Sequence, residues 1–175
     1  MTLDKYIIGI RNKDSKSYKI VYDLLARRMF AVSYRITNSV EDSKDVLQES
    51  FLKSFFEIDK LKNNSSYVSW LKRIIVNNSL QCLRKKSSVV FDLNEAIAID
   101  EQDESWFENI LSDQIKTEIH KLPQGCRVVF CLHVFEELKN REIAEKLNDK
   151  ISTSKSQYAY ACKLLRNKLI KAFKE

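Results

Sequence analysis

The scarcity of glycine and proline constrains the fold of this chain more than any other feature. Among 175 residues there are two glycines and one proline. β-Structure needs tight turns every few residues, and those turns depend on these residue types. The sequence therefore predicts an all-α protein. Apolar residues make up 44% of the chain, enough to bury a core, and the length suits one ordinary domain or two small ones.

Apolar residues recur at three- and four-residue steps in several segments, which indicates amphipathic helices. Helices are predicted over residues 15–37, 39–58 and 69–86. Residues 59–68 are rich in Asn and Ser, whose side chains compete for backbone hydrogen bonds, so a loop is predicted there. Helical periodicity returns at 105–122, and Pro123 begins a new segment.

The charge of the chain is unevenly distributed. The formal net charge is +6, yet residues 87–115 hold eight acids and no lysine or arginine. These acids are Asp92, Glu95, Asp100, Glu101, Asp103, Glu104, Glu108 and Asp113. Without these eight negative charges, the rest of the chain carries +14. Two basic blocks thus flank an acidic linker. A basic surface attracts polyanions such as nucleic acid. The alternative is an ordinary solvated surface, which charge alone does not exclude.

Signals for secretion, membrane insertion and metal binding are weak. The apolar run at residues 1–10 is too short for a secretory signal, and no apolar segment approaches the ~20 residues that cross a bilayer. The four cysteines lack the C-x-x-C spacing of zinc and redox sites. A zinc site stays possible because Cys126, Cys131 and His133 are close in sequence, but buried reduced thiols are the preferred interpretation. We therefore expect a cytoplasmic protein with no metal and no cofactor.

The C-terminal part has the pattern of a helix-turn-helix. Ile143, Ala144 and Leu147 share one face of a short helix, residues 148–150 can make a tight connection, and a longer helix begins near Ser152. At about 100° per residue, one side of this longer helix is polar. The side chains on that side are Thr153, Ser156, Tyr160, Lys163 and Asn167, with Lys155 and Gln157 on its flanks.

Such a polar helix suits the major groove of DNA, where base edges present distinct donors and acceptors. Gln157 can read adenine with two hydrogen bonds, and Lys155 can reach guanine or a phosphate. Lys163 and Arg166 suit backbone phosphates. The alternative is an ordinary helical hairpin with a solvated outer face, and periodicity alone favours neither interpretation.

Two separated stretches resemble the sigma-70 family of bacterial RNA polymerase sigma factors. The sequences "DSKDVLQESFLKSFFEI" and "SSYVSWLKRIIVNNSLQCLRKK" resemble region 2 of that family. The sequences "LPQGCRVVFCLHVFEELKNREIAEKLN" and "STSKSQYAYACKLLRNKL" resemble region 4. Their order and spacing are similar to those of the small extracytoplasmic-function (ECF) group.

The resemblance implies a polymerase-binding helix. Asp45, Gln48, Glu49 and Phe51 match the D-x-x-Q-E-x-F pattern that, in the family, helps to dock onto the clamp helices of the polymerase. The alternative is solvated charge for Asp45 and Glu49. Phe51 is expected in the core under either interpretation.

The resemblance also implies two DNA contacts. The −10 element would be contacted by Leu61, Asn63, Asn64, Ser65, Lys72, Arg73, Asn77 and Arg84. A flipped base needs polar groups for its edge and an apolar wall for its face. Asn63, Asn64, Ser65 and Asn77 can supply the polar groups, and Leu61 can supply the wall. Trp70 is expected in the core rather than against a base. The −35 element would be contacted by Thr153, Lys155, Ser156, Gln157, Tyr160 and Lys163.

Some positions depart from the family pattern. Gln81 and Val76 replace a common Asp and a frequent Arg in the region 2 helix, and Asn148-Asp149 replaces a frequent Gly and apolar residue. Lys139 stands where a Ser often caps the first helix of the motif, so the capping box with Glu142 is expected to be incomplete, at a cost of about 1 kcal/mol.

The resemblance implies a region 2-like domain at residues 1–86, an acidic linker at 87–115 and a region 4-like domain at 116–175. The function it implies is promoter recognition and strand opening on core RNA polymerase, bound at its clamp helices and flap, with an anti-sigma factor as regulator. The sequence contains no pattern of a catalytic triad, a phosphate-binding loop or a metal cluster, so no enzymatic activity is expected. The alternatives are a helix-turn-helix regulator that acts without polymerase, and a protein-interaction module with an acidic partner.

Overall fold

The computed structural model describes residues 3–86 and 113–172. The chain divides into two compact units, Met1–Ser88 and Val89–Glu175. Every regular element in the described ranges is helical, which confirms the predicted all-α fold of two domains. Within these ranges the helices lack the length of apolar sequence that a transmembrane span requires.

Residues 3–86 of the first unit form four α-helices and two short 3₁₀ turns. The helices are α1 (Leu3–Arg11), α2 (Ser15–Thr37), α3 (Val40–Phe56) and α4 (Tyr67–Lys86). The turns, Ile58–Lys60 and Asn64–Ser66, occupy the loop predicted between the second and third helices. Helices α2, α3 and α4 pack against one another, and α1 packs on α2.

Local capping explains where α2 begins and ends and where α3 begins. The carboxylate of Asp14 accepts hydrogen bonds from the backbone N–H groups of Lys16 and Ser17, at 3.2 and 3.1 Å. Asn38 adopts the left-handed conformation (φ 57°) and ends α2. Ser39 then caps α3 by accepting from the N–H of Asp42 at 3.3 Å. The predicted bounds of the helix at 15–37 are confirmed to the residue.

Hydroxyl and amide groups line the contacts between α2, α3 and α4. The Ser79 hydroxyl donates to Ser33 Oγ at 3.0 Å, and Ser54 Oγ lies 2.9 Å from the hydroxyl of Tyr67. Because buried polar groups are costly when unpaired, these bonds let small polar residues occupy the core. Burial raises the pKa of Tyr67 to about 12, and the Ser54 hydrogen bond opposes that shift.

Helix α1 was not predicted from the sequence. It buries Ile7 and Ile10, and its backbone approaches α2 closely at Gly9. A Cβ added at Gly9 would overlap the hydroxyl of Ser17. One of the two glycines therefore permits this helix to pack, and α1 is an integral part of the first unit.

The second unit contains α5 (Asp113–His120), α6 (Gln124–Val134), α7 (Asn140–Leu147) and α8 (Ile151–Ala172) in its described part. Its core is a cluster of apolar side chains from α5, α6 and α8 and from the α5–α6 junction. These are Ile115, Ile119, Leu122, Cys126, Phe130, Cys131, Ala161 and Leu165. The ring of Tyr158 stacks on Phe130 at 6.0 Å and meets His133 edge-on at 4.3 Å.

The predicted linker at 87–115 overlaps this second unit. Helix α5 begins at Asp113, and Ile115 is buried in the core. The last three residues of the segment predicted as linker are therefore helical. Residues 87–112, which hold the other seven acids and the start of the helix predicted at 105–122, lie outside the described residues.

Candidate polymerase and nucleic-acid interfaces

One face of α3 presents the polar residues predicted to bind polymerase. Asp45, Gln48 and Glu49 are exposed, and their three- and four-residue spacing puts them on one side of the helix. Phe51 points the other way. It is 2% exposed and packs against the rings of Tyr22 and Phe55, at 4.8 and 5.7 Å. The core position expected for Phe51 is confirmed, so it supports this face from below and offers no surface for a partner.

The same face continues into two apolar residues that the motif did not single out. Leu52 is 50% exposed and Phe56 is 86% exposed. They follow Glu49 at steps of three and four residues, so they extend the exposed stripe by two helical turns. An apolar patch next to polar groups is typical of a protein-binding surface. The helical spacing of Leu52 and Phe56 from Glu49 could have predicted this patch from the sequence.

The loop predicted to capture a base is ordered by its own side chains. Asn63 Oδ1 accepts hydrogen bonds from the N–H and the hydroxyl of Ser65, at 3.1 and 2.9 Å. The Ser66 hydroxyl donates to the carbonyl of Asn63 at 2.6 Å. Asn63 and Ser65 are exposed, Asn64 is half-buried and Leu61 is 6% exposed. Leu61 therefore anchors the loop in the core, and the prediction that its side chain forms an apolar wall for a base is wrong in this arrangement.

Arg11, at the end of α1, contacts this loop at three points. Its Nη2 donates to the carbonyl of Leu61 at 2.5 Å and to Asn64 Oδ1 at 3.4 Å. Its Nη1 lies 3.3 Å from a carboxylate oxygen of Asp59. Sequence reasoning missed Arg11, because nothing local in the sequence links it to a loop about 50 residues away.

The outer face of α4 is basic. Arg73, Asn77 and Arg84 are exposed and lie at intervals of four and seven residues, on one side of the helix. Lys72 is half-buried on the flank of this stripe. Trp70 is also half-buried, with its ring 6.1 Å from that of Tyr67. Trp70 therefore lies at the margin of the core rather than fully within it.

Helices α7 and α8 form the predicted helix-turn-helix. Asn148 takes the left-handed conformation (φ 55°), and the N–H of Asp149 donates to the carbonyl of Ala144 at 3.0 Å. Asn tolerates this conformation better than most residues, which explains how it stands where the family often has Gly. At the start of α7, Glu142 accepts a hydrogen bond from the N–H of Lys139 at 2.8 Å. The Lys139 ammonium is a donor only and cannot accept a hydrogen bond from a backbone N–H, so the capping box is half formed, as expected.

The polar face of α8 contains five of its six predicted DNA-contacting residues. Lys155 and Lys163 are exposed, and Thr153, Ser156 and Tyr160 are half-buried. The Ser156 hydroxyl donates to the carbonyl of Ser152 at 2.9 Å, so it presents mainly acceptor lone pairs outward. Exposed lysines on such a face suit phosphate contacts.

Gln157 does not lie on this face, and the prediction that it reads a base is wrong in this arrangement. Its side chain is 1% exposed, and its Oε1 has no hydrogen-bond partner. Ser154, three residues earlier, is fully buried, with its hydroxyl likewise unpartnered. Gln157 falls between Ser154 and Ala161 at steps of three and four residues. This spacing predicts that Gln157 is buried, but its polar side chain suggested an exposed position.

The second unit also contains the cysteine and histidine residues considered for zinc. Cys126 and Cys131 are buried in the core, and burial raises the pKa of the Cys126 thiol to about 11. His133 Nδ1 lies 2.9 Å from the carbonyl of Leu138. Among residues 3–86 and 113–172, no three His, Cys, Asp or Glu side chains are grouped so that they could hold a metal ion.

These features define a two-domain helical protein with a helix-turn-helix in its second domain. Residues 21–89 match the family model for Sigma-70 region 2, and residues 112–165 match that for Sigma-70, region 4. The chain is 26% identical over 183 residues to the ECF RNA polymerase sigma factor SigW of Bacillus subtilis, covering 97% of each protein. It is 24% identical over 175 residues to the ECF RNA polymerase sigma-E factor of Haemophilus influenzae, covering 91% of each.

A solved structure shares the fold. It is described as the structure of CnrH in complex with the cytosolic domain of CnrY, and it matches with a TM-score of 0.53 and 15% identity over 96% of this chain and 97% of that one. The two family matches together cover well over half of the sequence. The chain belongs to the sigma-70 family, and the two relatives named above are ECF sigma factors.

Proposed function

We propose that the protein is a dissociable subunit that directs core RNA polymerase to specific promoters and assists DNA strand opening. The observation that carries this proposal is the presence of regions 2 and 4, in that order, in two separate helical units. A regulator that used only the helix-turn-helix would not need a region 2. The protein would act in the cytoplasm and without catalytic activity of its own.

The polymerase clamp helices would bind the exposed face of α3. Asp45, Gln48 and Glu49 would supply polar contacts, and Leu52 and Phe56 would supply apolar area beside them. Hot spots of protein interfaces tend to combine aromatic anchors with a polar surround. Phe56 is 86% exposed in the isolated chain, which suits a residue that a partner covers. The second unit would contact the polymerase flap.

The −10 element would be held by the loop and the outer face of α4. Asn63, Asn64 and Ser65 would offer hydrogen-bonding groups to an unstacked base. Arg73, Asn77 and Arg84, with Lys72 on their flank, would follow the single strand and its phosphates. Captured bases would offset an unstacking cost of a few kcal/mol each, so strand opening would be driven by binding energy.

The −35 element would receive α8 in its major groove. Lys155 and Lys163 would contact phosphates or base edges, and Thr153, Ser156 and Tyr160 would lie beside them on the same face. Gln157 would support the helix from the core.

An anti-sigma factor would regulate the protein by covering these surfaces. This part of the proposal rests on the resemblance to the ECF group and on the fold shared with CnrH, whose structure contains the cytosolic domain of CnrY. The anti-sigma factor could cover the surfaces of either unit: the α3 and α4 faces lie on the first unit, and the α8 face lies on the second.

The test is run-off transcription with purified core polymerase on a pool of random promoter sequences. Addition of the protein should produce defined start sites with shared −10 and −35 sequences. The double variant Gln48→Ala, Glu49→Ala should weaken retention on core polymerase, whereas Glu41→Ala, exposed on the first turn of the same helix, serves as a matched control. Absence of any association with core polymerase, or tight binding to a duplex operator without it, would contradict the proposal.

A further inference from the structure

Arg11 connects α1 to the loop between α3 and α4 through both branches of its guanidinium group. Nη2 donates to the carbonyl of Leu61 and to Asn64 Oδ1, and Nη1 pairs with Asp59. The three acceptors span six residues of the loop, from 59 to 64. A planar guanidinium can hold several acceptors in a fixed geometry, which an ammonium group cannot do.

The contacts of Arg11 differ in strength. The Arg11 side chain is 27% exposed, whereas that of Asp59 is 86% exposed, so their ion pair is screened by solvent and contributes little. The bond to the Leu61 carbonyl is the shortest, at 2.5 Å, and is partly buried. Charged donors make the stronger hydrogen bonds of proteins. Arg11 therefore acts mainly on the Leu61–Asn64 segment.

Helix α1 is held in place by other interactions. Ile7 and Ile10 are buried, Gly9 packs closely against Ser17, and the Tyr18 hydroxyl donates to the carbonyl of Ile10 at 3.2 Å. Loss of the Arg11 side chain would thus leave the helix docked and the loop without its hydrogen bonds to Arg11, held by its own hydrogen bonds and by the buried Leu61 side chain. Helix α1 also lies outside the region 2 match, which begins at residue 21.

We infer that Arg11 is a positioning residue for the loop at residues 61–65, and that it fixes this loop in the geometry that binds an unstacked base of the −10 strand. The inference rests on the proposed function. Arg11 holds the Leu61 carbonyl and the Asn64 side-chain amide in place. Asn63 lies between these two anchor points in the sequence, and Ser65 directly follows Asn64. Fixing the loop before binding lowers the entropy lost when DNA binds.

The experiment measures binding of a fluorescent single-stranded −10 oligonucleotide to holoenzyme, with the promoter taken from the random pool. Arg11→Ala should weaken this binding about tenfold, as expected for loss of a charge-assisted hydrogen bond. Binding of a −35 duplex and of core polymerase should be unchanged. Asp59→Asn, which disturbs only the exposed ion pair, should bind the oligonucleotide like the wild type.

Two further variants separate positioning from other roles. Arg11→Lys keeps the charge but loses the forked geometry, so it should retain most of the defect, whereas a simple phosphate contact would be rescued. Combined with Asn63→Ala, Arg11→Ala should cost less than it does alone, because the loop it positions is already impaired. Full rescue by Lys, wild-type binding by Arg11→Ala, or an equal loss on the −35 duplex would overturn the inference. Failure of the wild type to direct transcription would instead overturn the proposed function.

Discussion

Lys86 Nζ lies 2.5 Å from a carboxylate oxygen of Asp42, so the last turn of α4 is tied to the first turn of α3. The Asp42 residue is 8% exposed, while the Lys86 side chain is 62% exposed. The pair closes the end of the α3–α4 hairpin at the point where the predicted linker begins. It therefore holds the end of α4, which carries the basic face, against the start of α3, which carries the exposed face with Asp45, Gln48 and Glu49.

This pair predicts a pH-dependent stability. The hydrogen bond from Lys86, aided by one with Ser39, holds the pKa of Asp42 below its usual value, although burial acts in the opposite sense. A lowered pKa means that the carboxylate stabilises the fold above the unfolded-state pKa of 3.8, and that this stabilisation is lost as the pH falls through the folded-state pKa. Asp42→Asn should therefore lower the urea midpoint at neutral pH.

The difference in urea midpoint between the wild type and Asp42→Asn should shrink toward zero as the solution is acidified. Asp45→Asn removes an exposed charge from the same helix and should show a smaller difference at neutral pH. A difference that stays constant across the acid titration would contradict the role assigned to the Asp42 carboxylate.

Asn77 and Asn78 offer a matched pair of substitutions that separates stability from DNA binding. Asn78 is 8% exposed and donates to the fully buried Ser50 hydroxyl at 2.9 Å, whereas Asn77 is exposed on the basic face of α4. Asn78→Ala should lower the free energy of unfolding by about 1–3 kcal/mol, because it leaves Ser50 without its donor. Asn77→Ala should change it by less than about 0.5 kcal/mol and should weaken opening at the −10 element.

Denaturant unfolding and permanganate reactivity of promoter thymines measure these two effects separately. If Asn77→Ala destabilised the fold as much as Asn78→Ala, or if it opened the promoter like the wild type, the assignment of the two faces would be wrong.

Much of the helical fold could be predicted from local sequence, because local chemistry sets it. Asp14 and Asn38 cap α2 at both ends, and the predicted bounds are correct to the residue. Helix α1 was missed because its nine residues bury only Ile7 and Ile10. A helix this short depends on tertiary packing rather than on its own propensity.

The candidate site was harder to predict, for two physical reasons. The contact of Arg11 with the loop joins residues about 50 positions apart, and no periodic pattern encodes such a contact. Gln157 was misplaced because its amide suggested an exposed base reader, while its spacing from Ser154 and Ala161 placed it in the core. Periodicity was the better guide at this position, and residue type was the poorer one.

The burial of Gln157 predicts that its removal will not relax promoter choice. Its Oε1 has no hydrogen-bond partner, and a buried unpaired polar group costs about 1–3 kcal/mol. Gln157→Met keeps a similar shape and removes that group, so it should leave the melting temperature unchanged or raise it. Selection of −35 sequences from the random pool should be the same as for the wild type. A changed −35 preference would show that Gln157 leaves the core when DNA binds.

The exposed lysines of α8 predict a salt-dependent affinity for −35 duplex. Lys155 and Lys163 lie on the polar face, and each phosphate contact releases counterions when it forms. For each lysine changed to alanine, the slope of log affinity against log salt concentration should decrease by about one, with affinity falling for all sequences alike. Lys19→Ala, at an exposed position on α2, is the matched control and should leave the slope unchanged. If Lys155→Ala left the slope intact but altered sequence preference, Lys155 would contact a base edge, and α8 would read sequence directly at that position.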